Sequence, residues 1–191
     1  MGDDIVSLSN ETGDSIIMAN EGSGWKLSSI LRTENTRQTA QMINIEASSS
    51  LADSKIASRY SPEKAFDGDP LTSWVEGVEG NGEGQTLDIA LDKEIFVDAI
   101  EVMPGYFDQR YWQRNNRIHE LRVSFNSQPE SVALTFSDEM EPQRISINLE
   151  RVNSIRLEIV STYQGTSWDD TCIAEITFFL MGEPVTLNPN Y

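Results

Sequence analysis

The stretch AFDGDPLTSW, residues 65–74, packs two carboxylates, a hydroxyl and a glycine into one turn that ends in a large aromatic residue. Far downstream, CIAEITFF at residues 172–179 places a single glutamate at the head of an apolar segment. If the fold brings these stretches together, they offer the carboxylate and hydroxyl oxygens that suit a hard cation such as calcium. The pair therefore predicts a calcium-stabilised binding module and not an enzyme.

The oxygens of this predicted site can be assigned to residues. Asp67, Asp69 and Thr72 carry side-chain oxygens, and Gly68 lets the backbone curl so that carbonyl groups also point inward. Glu175, from the second stretch, would close the cage. The same residues also suit a metal-free turn in which the side chains cap the backbone. Both interpretations stay open at this point.

Downstream of Ile45, apolar residues recur at every second position in short runs, which is the period of strands with one buried face. Turn-forming or polar clusters, among them residues 126–129 and 150–153, separate the runs, and no amphipathic helix interrupts them. This pattern predicts an all-β chain folded as a β-sandwich or barrel. The alternating sets are Leu87, Ile89 and Leu91; Leu121, Val123 and Phe125; Val132, Leu134 and Phe136; Ile145, Ile147 and Leu149; Ile155, Leu157 and Ile159; and Ile176, Phe178 and Leu180.

The composition limits the possible partners. The sequence carries 14 Lys and Arg against 31 Asp and Glu, a formal net charge of −17 at pH 7. A surface this acidic repels nucleic-acid phosphates and anionic lipids, so we expect neither as a partner. No segment approaches the roughly 20 apolar residues that a membrane helix requires. Cys172 is the only cysteine, so no internal disulfide can form, and its apolar neighbours predict a buried thiol.

The length of 191 residues fits one domain with short appendages. Residues 1–44 are rich in Ser, Thr, Asn, Glu and Gly and predict a partly ordered extension with a strand or two. Within it, residues 32–45 mix Thr, which favours strands, with Gln and Ala, which favour helix, and fit either structure. We expect the sandwich over residues 45–182 and a tail over 183–191. The first residues lack the features of a signal peptide, which leaves the native compartment open.

Three polar segments, residues 67–85, 104–117 and 161–171, break the alternation and hold many of the aromatic side chains. Such loops gather at the ends of a sandwich and commonly carry binding. Sugar recognition needs flat aromatic faces together with fixed donors and acceptors for hydroxyl groups, and residues 104–117 contain both. The candidate ligand contacts are Tyr106, Tyr111, Trp112, Asn116, Arg117, Trp168 and Asp169.

A structural role is the alternative for several of these side chains. Tyr106, Asn116 and Arg117 would then maintain the loops, with Arg117 paired to Asp169 or Asp170. Trp74, at the point where the chain re-enters the sandwich, is interpreted as a buried core residue and not as a platform for a sugar.

The order of these motifs resembles the galactose-binding-like jelly roll, the β-sandwich of coagulation-factor type C (discoidin) domains and of many bacterial carbohydrate-binding modules. The likeness spans residues 45–181. It is carried by AFDGDPLTSW, by PGY at 104–106, by NNRIHELRVSF at 115–125 and by DDTCIAEITFF at 169–179. The last three elements are most similar to the glycan-binding domain associated with secreted NADase toxins.

This resemblance implies a non-catalytic module, secreted or on a cell surface, that binds a glycan or glycoprotein. The alternative is a discoidin-like protein-interaction or adhesion domain. A concave polar pocket lined by aromatic residues would favour sugar, and a flat or convex apolar surface would favour protein. The resemblance also implies a structural calcium ion, held by side-chain and backbone oxygens of Ala65, Asp67, Asp69, Thr72, Ala174 and Glu175.

An enzymatic function has little support in the sequence. His119, the only histidine, stands at the head of an alternating strand, where a structural imidazole is expected. No third residue orients a Cys172–His119 dyad, and the adjacent Asp169 and Asp170 would point to opposite faces of a strand. There is no phosphate-cradling glycine loop, zinc-spaced Cys/His set or G-x-S-x-G turn. We therefore expect no catalytic residues.

Overall fold

The computed structural model describes residues 4–9, 15–20, 25–31 and 37–189 of the protein, and these residues form almost only strands. The one helical element among them is a short 3-10 turn, Pro62–Ala65. No helix of the described residues has the length and apolar character needed to cross a membrane. The strands are β1 (Asp4–Ser9), β2 (Ser15–Asn20), β3 (Trp25–Leu31), β4 (Thr39–Ala47), β5 (Trp74–Val75), β6 (Thr86–Met103), β7 (Asn116–Phe125), β8 (Ser131–Thr135), β9 (Gln143–Tyr163), β10 (Thr171–Ile173), β11 (Glu175–Leu180), β12 (Glu183–Pro184) and β13 (Thr186–Pro189).

Two long strands form the spine of the fold. β6 and β9 pair antiparallel along most of their lengths, and the register shifts between Ala90 and Ile95 and again between Val97 and Ala99. Such irregularities bend a strand and increase its twist, so the sheet curls over itself. The order along the main sheet is β12-β11-β6-β9-β7-β10-β5, with β4 paired to β6 and β8 paired to β7. The predicted all-β sandwich is confirmed.

The core lies between the layers and follows the predicted alternation. On β6, Leu87, Ile89 and Leu91 are buried, while Asp88 and Ala90 between them are partly exposed. The alternating sets on β7 and on the second half of β9 are buried in the same way. Each such aliphatic side chain stabilises the fold by about 1.5–3 kcal/mol through burial.

Trp74 belongs to this core, as the sequence predicts. It is 1% exposed, and its indole nitrogen donates to the Ser49 carbonyl at 3.0 Å. The hydrogen bond satisfies the only polar atom of the side chain, which allows full burial.

Two polar clusters that the sequence presents as breaks behave differently. Asn126 and Ser127 have φ values of 52° and 56°, which suit the two central residues of a type I′ turn, and they join β7 to β8. Residues 150–153, by contrast, lie inside β9, so the predicted break there is wrong. Val152 is fully buried while its neighbours face solvent, which is strand alternation with a single apolar member.

The ends of the domain also differ from the prediction. β4 begins at Thr39, before the predicted boundary, and pairs with β6; β13, in the predicted tail, pairs in parallel with β4. Both predicted appendages therefore contribute strands to the main sheet. β1, β2 and β3 form a separate antiparallel sheet. The remainder of the predicted extension, and residues 190–191, lie outside the described residues.

Candidate functional site

The acidic turn after the 3-10 turn brings several oxygen atoms close together. Gly68 has a φ of 75°, in the left-handed region that glycine enters without strain, and it reverses the chain between Asp67 and Asp69. The Thr72 hydroxyl lies 2.8 and 3.0 Å from the two Asp67 carboxylate oxygens and 3.1 Å from the Asp69 carbonyl oxygen. Glu175, at the start of β11, accepts a hydrogen bond from the Gly68 amide at 2.8 Å. The two distant stretches therefore meet.

The carboxylates of this turn differ in their pKa values. Burial raises the pKa of Asp67, but hydrogen bonds from Lys64, the Asp69 amide and Thr72 outweigh it and leave the pKa below its usual value. Burial raises the pKa of Glu175 to about 7, and the charges of Asp67 and Asp69 add to the rise. A buried carboxylate beside two others is stabilised by a nearby cation. Lys64, whose ammonium lies 2.9 Å from Asp67, supplies part of that charge.

The donor set fits a hard cation. Carboxylate, hydroxyl and carbonyl oxygens are the ligands that calcium takes in proteins, and all three kinds converge here. No three His, Cys, Asp or Glu side chains in the described part of the chain are arranged as a metal cluster, so an ion would depend on the hydroxyl and carbonyl oxygens as well. It would also share Asp67 with the Lys64 ammonium. The predicted ligands that are fully buried, and can offer only backbone oxygen, are Ala65 and Ala174.

A cleft of about 390 Å³ opens where three loops of the sandwich meet. Its walls come from the segment between β4 and β5, from the loop between β6 and β7, and from the loop between β9 and β10. This volume lies in the usual range for small-molecule sites. The lining residues are Leu51, Arg59, Tyr60, Val75, Tyr106, Tyr111, Asn115, Trp168 and Asp170.

Aromatic rings form one continuous wall of this cleft. Tyr106 and Tyr111 meet edge to face with ring centroids 5.6 Å apart, and the Trp168 ring lies 6.2 Å from Tyr111 at a tilt of 41°. The Arg114 guanidinium lies 4.1 Å from the centroid of the Trp168 ring, a cation–π contact that holds this exposed side chain. Three of the predicted ligand contacts therefore share one surface.

Two polar groups of the cleft are acceptors without a hydrogen-bond partner among the described residues. Asn115 is 7% exposed, and its Nδ2 donates to the Tyr111 carbonyl at 3.1 Å. Because only the NH₂ group can donate to a carbonyl, the remaining atom of the amide is the acceptor Oδ1. Neither this Oδ1 nor the Asp170 carboxylate accepts a hydrogen bond from the described part of the chain. Burial, followed by the charge of Asp169, raises the pKa of Asp170.

Trp112, a predicted ligand contact, lies in the interior. It is 7% exposed and packs edge-on against Phe107 with ring centroids 5.2 Å apart. A Cβ atom at Gly105 would come within 2.5 Å of the indole, so only glycine allows this packing. The faces that a sugar would need are covered by protein, and we leave Trp112 out of the proposed ligand contacts.

Asn116 and Arg117 hold the loops together, the structural alternative that the sequence left open. Asn116 is fully buried, donates to the Asp169 carbonyl at 2.6 Å and accepts from the Gly165 amide at 2.6 Å. Arg117 is 6% exposed and makes two bonds of 2.9 and 2.8 Å to Asp138. The pairing of Arg117 with Asp169 or Asp170 is therefore wrong. The hydrogen bonds of both side chains go to protein groups that support the cleft. We therefore correct their predicted role from ligand contact to structural support.

The carboxylate of the cleft is Asp170 and not the predicted Asp169, which is exposed and outside the lining. Four lining residues were not expected from the sequence at all. They come from residues 48–75, where apolar and polar residues do not alternate. Among the four, Tyr60 is the one that resembles a ligand contact in the sequence, as an aromatic residue in a polar segment. The four are Leu51, Arg59, Tyr60 and Val75.

The residues that the sequence offers for catalysis are occupied by structural contacts. The Nδ1 atom of His119 lies 2.8 Å from the Ser161 hydroxyl, and its ring packs edge-on against Tyr163. Cys172 is fully buried, as predicted, and burial raises the pKa of its thiol well above the usual value. A thiol that stays protonated is a poor nucleophile.

Glu76, which follows the cleft residue Val75, is a further carboxylate near Asp170. It is fully buried, and burial raises its pKa, with the charge of Asp170 adding to the rise. Its two oxygens accept hydrogen bonds from the amides of Val78 and Thr171 at 2.9 and 3.1 Å. Glu76 therefore anchors the strand that follows Asp170 and leaves no accessible oxygen for acid–base chemistry with it.

Solved structures of similar fold include domains of carbohydrate-active proteins. The arabinofuranosyltransferase AftD from mycobacteria is 24% identical over 76% of this chain with a TM-score of 0.57, and the chain spans 11% of that protein. The family 32 carbohydrate-binding module of C. perfringens NanJ, solved in complex with galactose, is 17% identical over 72% of this chain and 93% of its own, with a TM-score of 0.54.

The family 32 module of AlyQ, solved with 4,5-unsaturated mannuronic acid, is 19% identical over 72% of this chain and 95% of its own, with a TM-score of 0.51. At these identities the likeness shows the fold alone.

No curated protein matches the sequence. Residues 36–179 match the family model of the NAD glycohydrolase translocation F5/8 type C domain, which covers most of the chain and agrees with the resemblance seen in the motifs. The chain belongs to this family of F5/8 type C domains.

Proposed function

We propose that this domain is a non-catalytic carbohydrate-binding module that holds a glycan in the cleft between Tyr106, Tyr111 and Trp168. The observation that carries the proposal is the combination, in one concave site, of an aromatic wall with polar atoms that have no partner in the described structure. These acceptors are open to the cleft, where a ligand that supplies O–H or N–H donors can replace the solvent that hydrates them. Such a site is built for a polar ligand.

The chemistry of the cleft matches that of a sugar ring. One face of a pyranose is lined with C–H groups, which pack on flat aromatic rings, and its edge carries hydroxyl groups that donate and accept. Tyr111 and Trp168 offer such rings, and Asn115 and Asp170 offer acceptors on the same cleft. The NanJ and AlyQ modules, which share the fold, were solved with a hexose and with a uronic acid derivative, and this supports the same class of ligand here.

The shape of the site also supports one of the two ligand classes that the sequence predicts. A discoidin-like interaction domain that bound protein would use a flat or convex apolar surface. The aromatic residues here line a concave cleft with polar atoms, which favours a glycan or the glycan of a glycoprotein. Glycans of this kind are displayed outside cells, so we place the protein in a secreted or cell-surface setting.

We further propose that calcium occupies the acidic turn and has a structural role. The ligands would be the Asp67 and Glu175 carboxylates, the Thr72 hydroxyl and the Asp69 carbonyl, with backbone oxygen of Ala65 and Ala174 completing the set. The ion would stabilise the contact between the turn and β11 and would offset the cost of placing Glu175 beside two aspartates. None of these residues lines the cleft, so calcium acts on stability and not on the ligand.

Glycan binding can be tested by array screening of the wild-type protein in calcium buffer, followed by the Tyr111→Ala variant. Tyr111 is the central ring of the aromatic wall, so its loss should weaken binding of any glycan found on the array by at least about tenfold, 1.4 kcal/mol. Trp25→Ala is the matched control, because Trp25 is 48% exposed on β3 and outside the cleft lining. Its binding should equal that of the wild type.

Two results would contradict the proposal. One is an array without any bound glycan although the protein is folded, as shown by circular dichroism and a cooperative thermal transition. The other is equal loss of binding in Tyr111→Ala and Trp25→Ala, which would move the ligand away from the cleft.

A further inference from the structure

The polar side chains of the cleft determine which hydrogen-bonding groups a ligand must supply. Asn115 is held by its Nδ2, so only the acceptor Oδ1 is left, and Asp170 is an ionised acceptor with two oxygens. Neither has a donor within the described residues. A ligand that satisfies both must bring O–H or N–H groups to them. A second carboxylate could satisfy neither.

The charged groups around the cleft support the same conclusion. The cation of the lining, Arg59, is already paired with Asp53 at 3.0 Å. Arg114, at the Trp168 ring, is outside the lining. Asp169 is exposed and outside the lining, so Asp170 is the carboxylate that a ligand in the cleft would meet. An anionic sugar would therefore meet repulsion at Asp170, and the cation of the lining, Arg59, would have to be shared with Asp53 to offset it.

The fold by itself does not decide the charge of the ligand. The NanJ module was solved with galactose and the AlyQ module with a uronic acid derivative, on the same architecture. Selectivity between these classes must come from side chains in the loops. Asp170 is the lining side chain that is both charged and without an ion-pair partner among the described residues.

We propose that Asp170 makes the cleft selective for sugars that carry no negative charge, accepting hydrogen bonds from their hydroxyl or amide groups and repelling uronic acids. This inference rests on the proposed function, since it specifies the ligand of the same cleft. Asp170 is the specificity-determining residue, and Asn115 supplies a second, uncharged acceptor. The expected preference for the neutral member of a matched pair of sugars is at least about tenfold, 1.4 kcal/mol.

The test uses sugar pairs that differ only by oxidation at C6: galactose and galacturonic acid, glucose and glucuronic acid, mannose and mannuronic acid. Binding of all six to the full chain is measured by titration with NMR detection at neutral pH. The wild type should prefer the neutral member of every pair that it binds. Asp170→Asn keeps the shape of the side chain and removes the charge, so the preference should fall at least fivefold.

Asp169→Asn is the matched control, because it removes the same charge from the adjacent, exposed position outside the cleft. Its preference should stay within twofold of the wild type. An equal change in both variants would mean that only the overall acidity of the protein matters, and would overturn the assignment to Asp170. Melting curves establish whether both variants fold. If one variant does not fold, the ratio of the wild-type affinities for the two members of each sugar pair still tests the selectivity.

The outcomes separate this inference from the proposed function. A wild-type protein that binds a uronic acid as tightly as its neutral partner, or more tightly, remains a carbohydrate-binding module but contradicts the selectivity. A wild-type protein that binds none of the six sugars at millimolar concentration, and no glycan on the array, contradicts both.

Discussion

The acidic turn and the aromatic cleft are both polar clusters in loops of one sandwich, but they differ in whether their polar atoms have hydrogen-bond partners. In the turn, the Thr72 hydroxyl, the Asp67 carboxylate and one oxygen of Glu175 all have hydrogen-bond partners within the cluster. In the cleft, Asn115 Oδ1 and the Asp170 carboxylate have none in the described structure. The turn is arranged to stabilise the fold, and the cleft is arranged to bind something that is not part of it.

This contrast shows how a loop-rich domain separates stability from function. Beneath the cleft, buried residues such as Arg117, Asn116 and Trp112 are held by hydrogen bonds or ring contacts to neighbouring parts of the chain. Above them, the rings of Tyr111 and Trp168 and the carboxylate of Asp170 face the open volume. Substitutions should therefore lower stability below the cleft and in the turn, and change binding with little loss of stability on the cleft surface.

The largest loss of stability is expected for Arg117→Met. The variant removes two bonds to Asp138, leaves the Asn115 carbonyl without its buried donor and removes a partly buried bond to the Gln164 carbonyl, at a cost of about 3 kcal/mol. For a domain of this size the melting temperature should fall by about 6–12 °C. Differential scanning calorimetry measures it.

Arg122→Met is the control for this experiment. The Arg122–Glu158 pair has the same chemistry, but both side chains are substantially exposed to solvent, and such pairs contribute under about 1 kcal/mol. Equal losses in the two variants would mean that Arg117 does not support the cleft from the interior. A destabilised Arg117 variant that still binds glycan would contradict the view that the cleft depends on this support.

A somewhat smaller loss is expected on removing calcium. An ion present at a hundred times its dissociation constant stabilises a folded protein by about 2.7 kcal/mol, so adding EGTA should lower the melting temperature by about 5–10 °C. In Glu175→Gln, which lacks one carboxylate ligand, the EGTA effect should shrink to less than a third. An unchanged wild-type melting curve would favour the metal-free turn.

The pH dependence of the same experiment sharpens the test. Burial raises the pKa of Glu175 above its usual 4.5 to about 7 in the metal-free protein. Stability that comes with this extra proton is complete below pH 4.5 and is lost as the pH rises through about 7. Calcium replaces the proton as the neutralising charge, so the shift on adding EGTA should be larger at pH 8 than at pH 5.5.

The sequence predicted the turn better than the cleft, and the reason is physical. The turn depends on local spacing between Asp67 and Thr72, and on Glu175, which stands at the head of an alternating apolar strand that fixes where it lies. The cleft depends on which aromatic side chains point outward, and the loop sequence does not contain that information. Trp112 and Trp168 both stand in polar loop segments, but the absence of a side chain at Gly105 leaves room for the Trp112 ring in the interior.

Long-range pairing accounts for the other errors. The partner of Arg117 is Asp138, from the connection after β8, and nothing in the spacing of either residue marks the pair. In the same way, the parallel pairing of β13 with β4 joins the first and the last strand of the main sheet and has no local pattern. By contrast, the alternation on β6 and β7 reports burial directly, because side chains on a strand face opposite sides in turn.

The smallest effect, and the one of opposite sign, is expected for Asp170→Asn. The Asp170 carboxylate is partly desolvated and lies beside Asp169, which is why its pKa is raised. Folding is then disfavoured as the pH rises and the group loses its proton, so replacing it by a neutral amide should stabilise the protein at pH 7.5. Because the group is still partly exposed, the gain should be only about 0.5 kcal/mol, or 1–2 °C in melting temperature.

At a pH low enough to protonate the wild-type carboxylate, the wild type and the variant should have the same melting temperature. A variant that is less stable at pH 7.5 would mean that Asp170 has a stabilising partner within the fold. Asp170 would then resemble the carboxylates of the turn, and the contrast between turn and cleft would not hold for this residue.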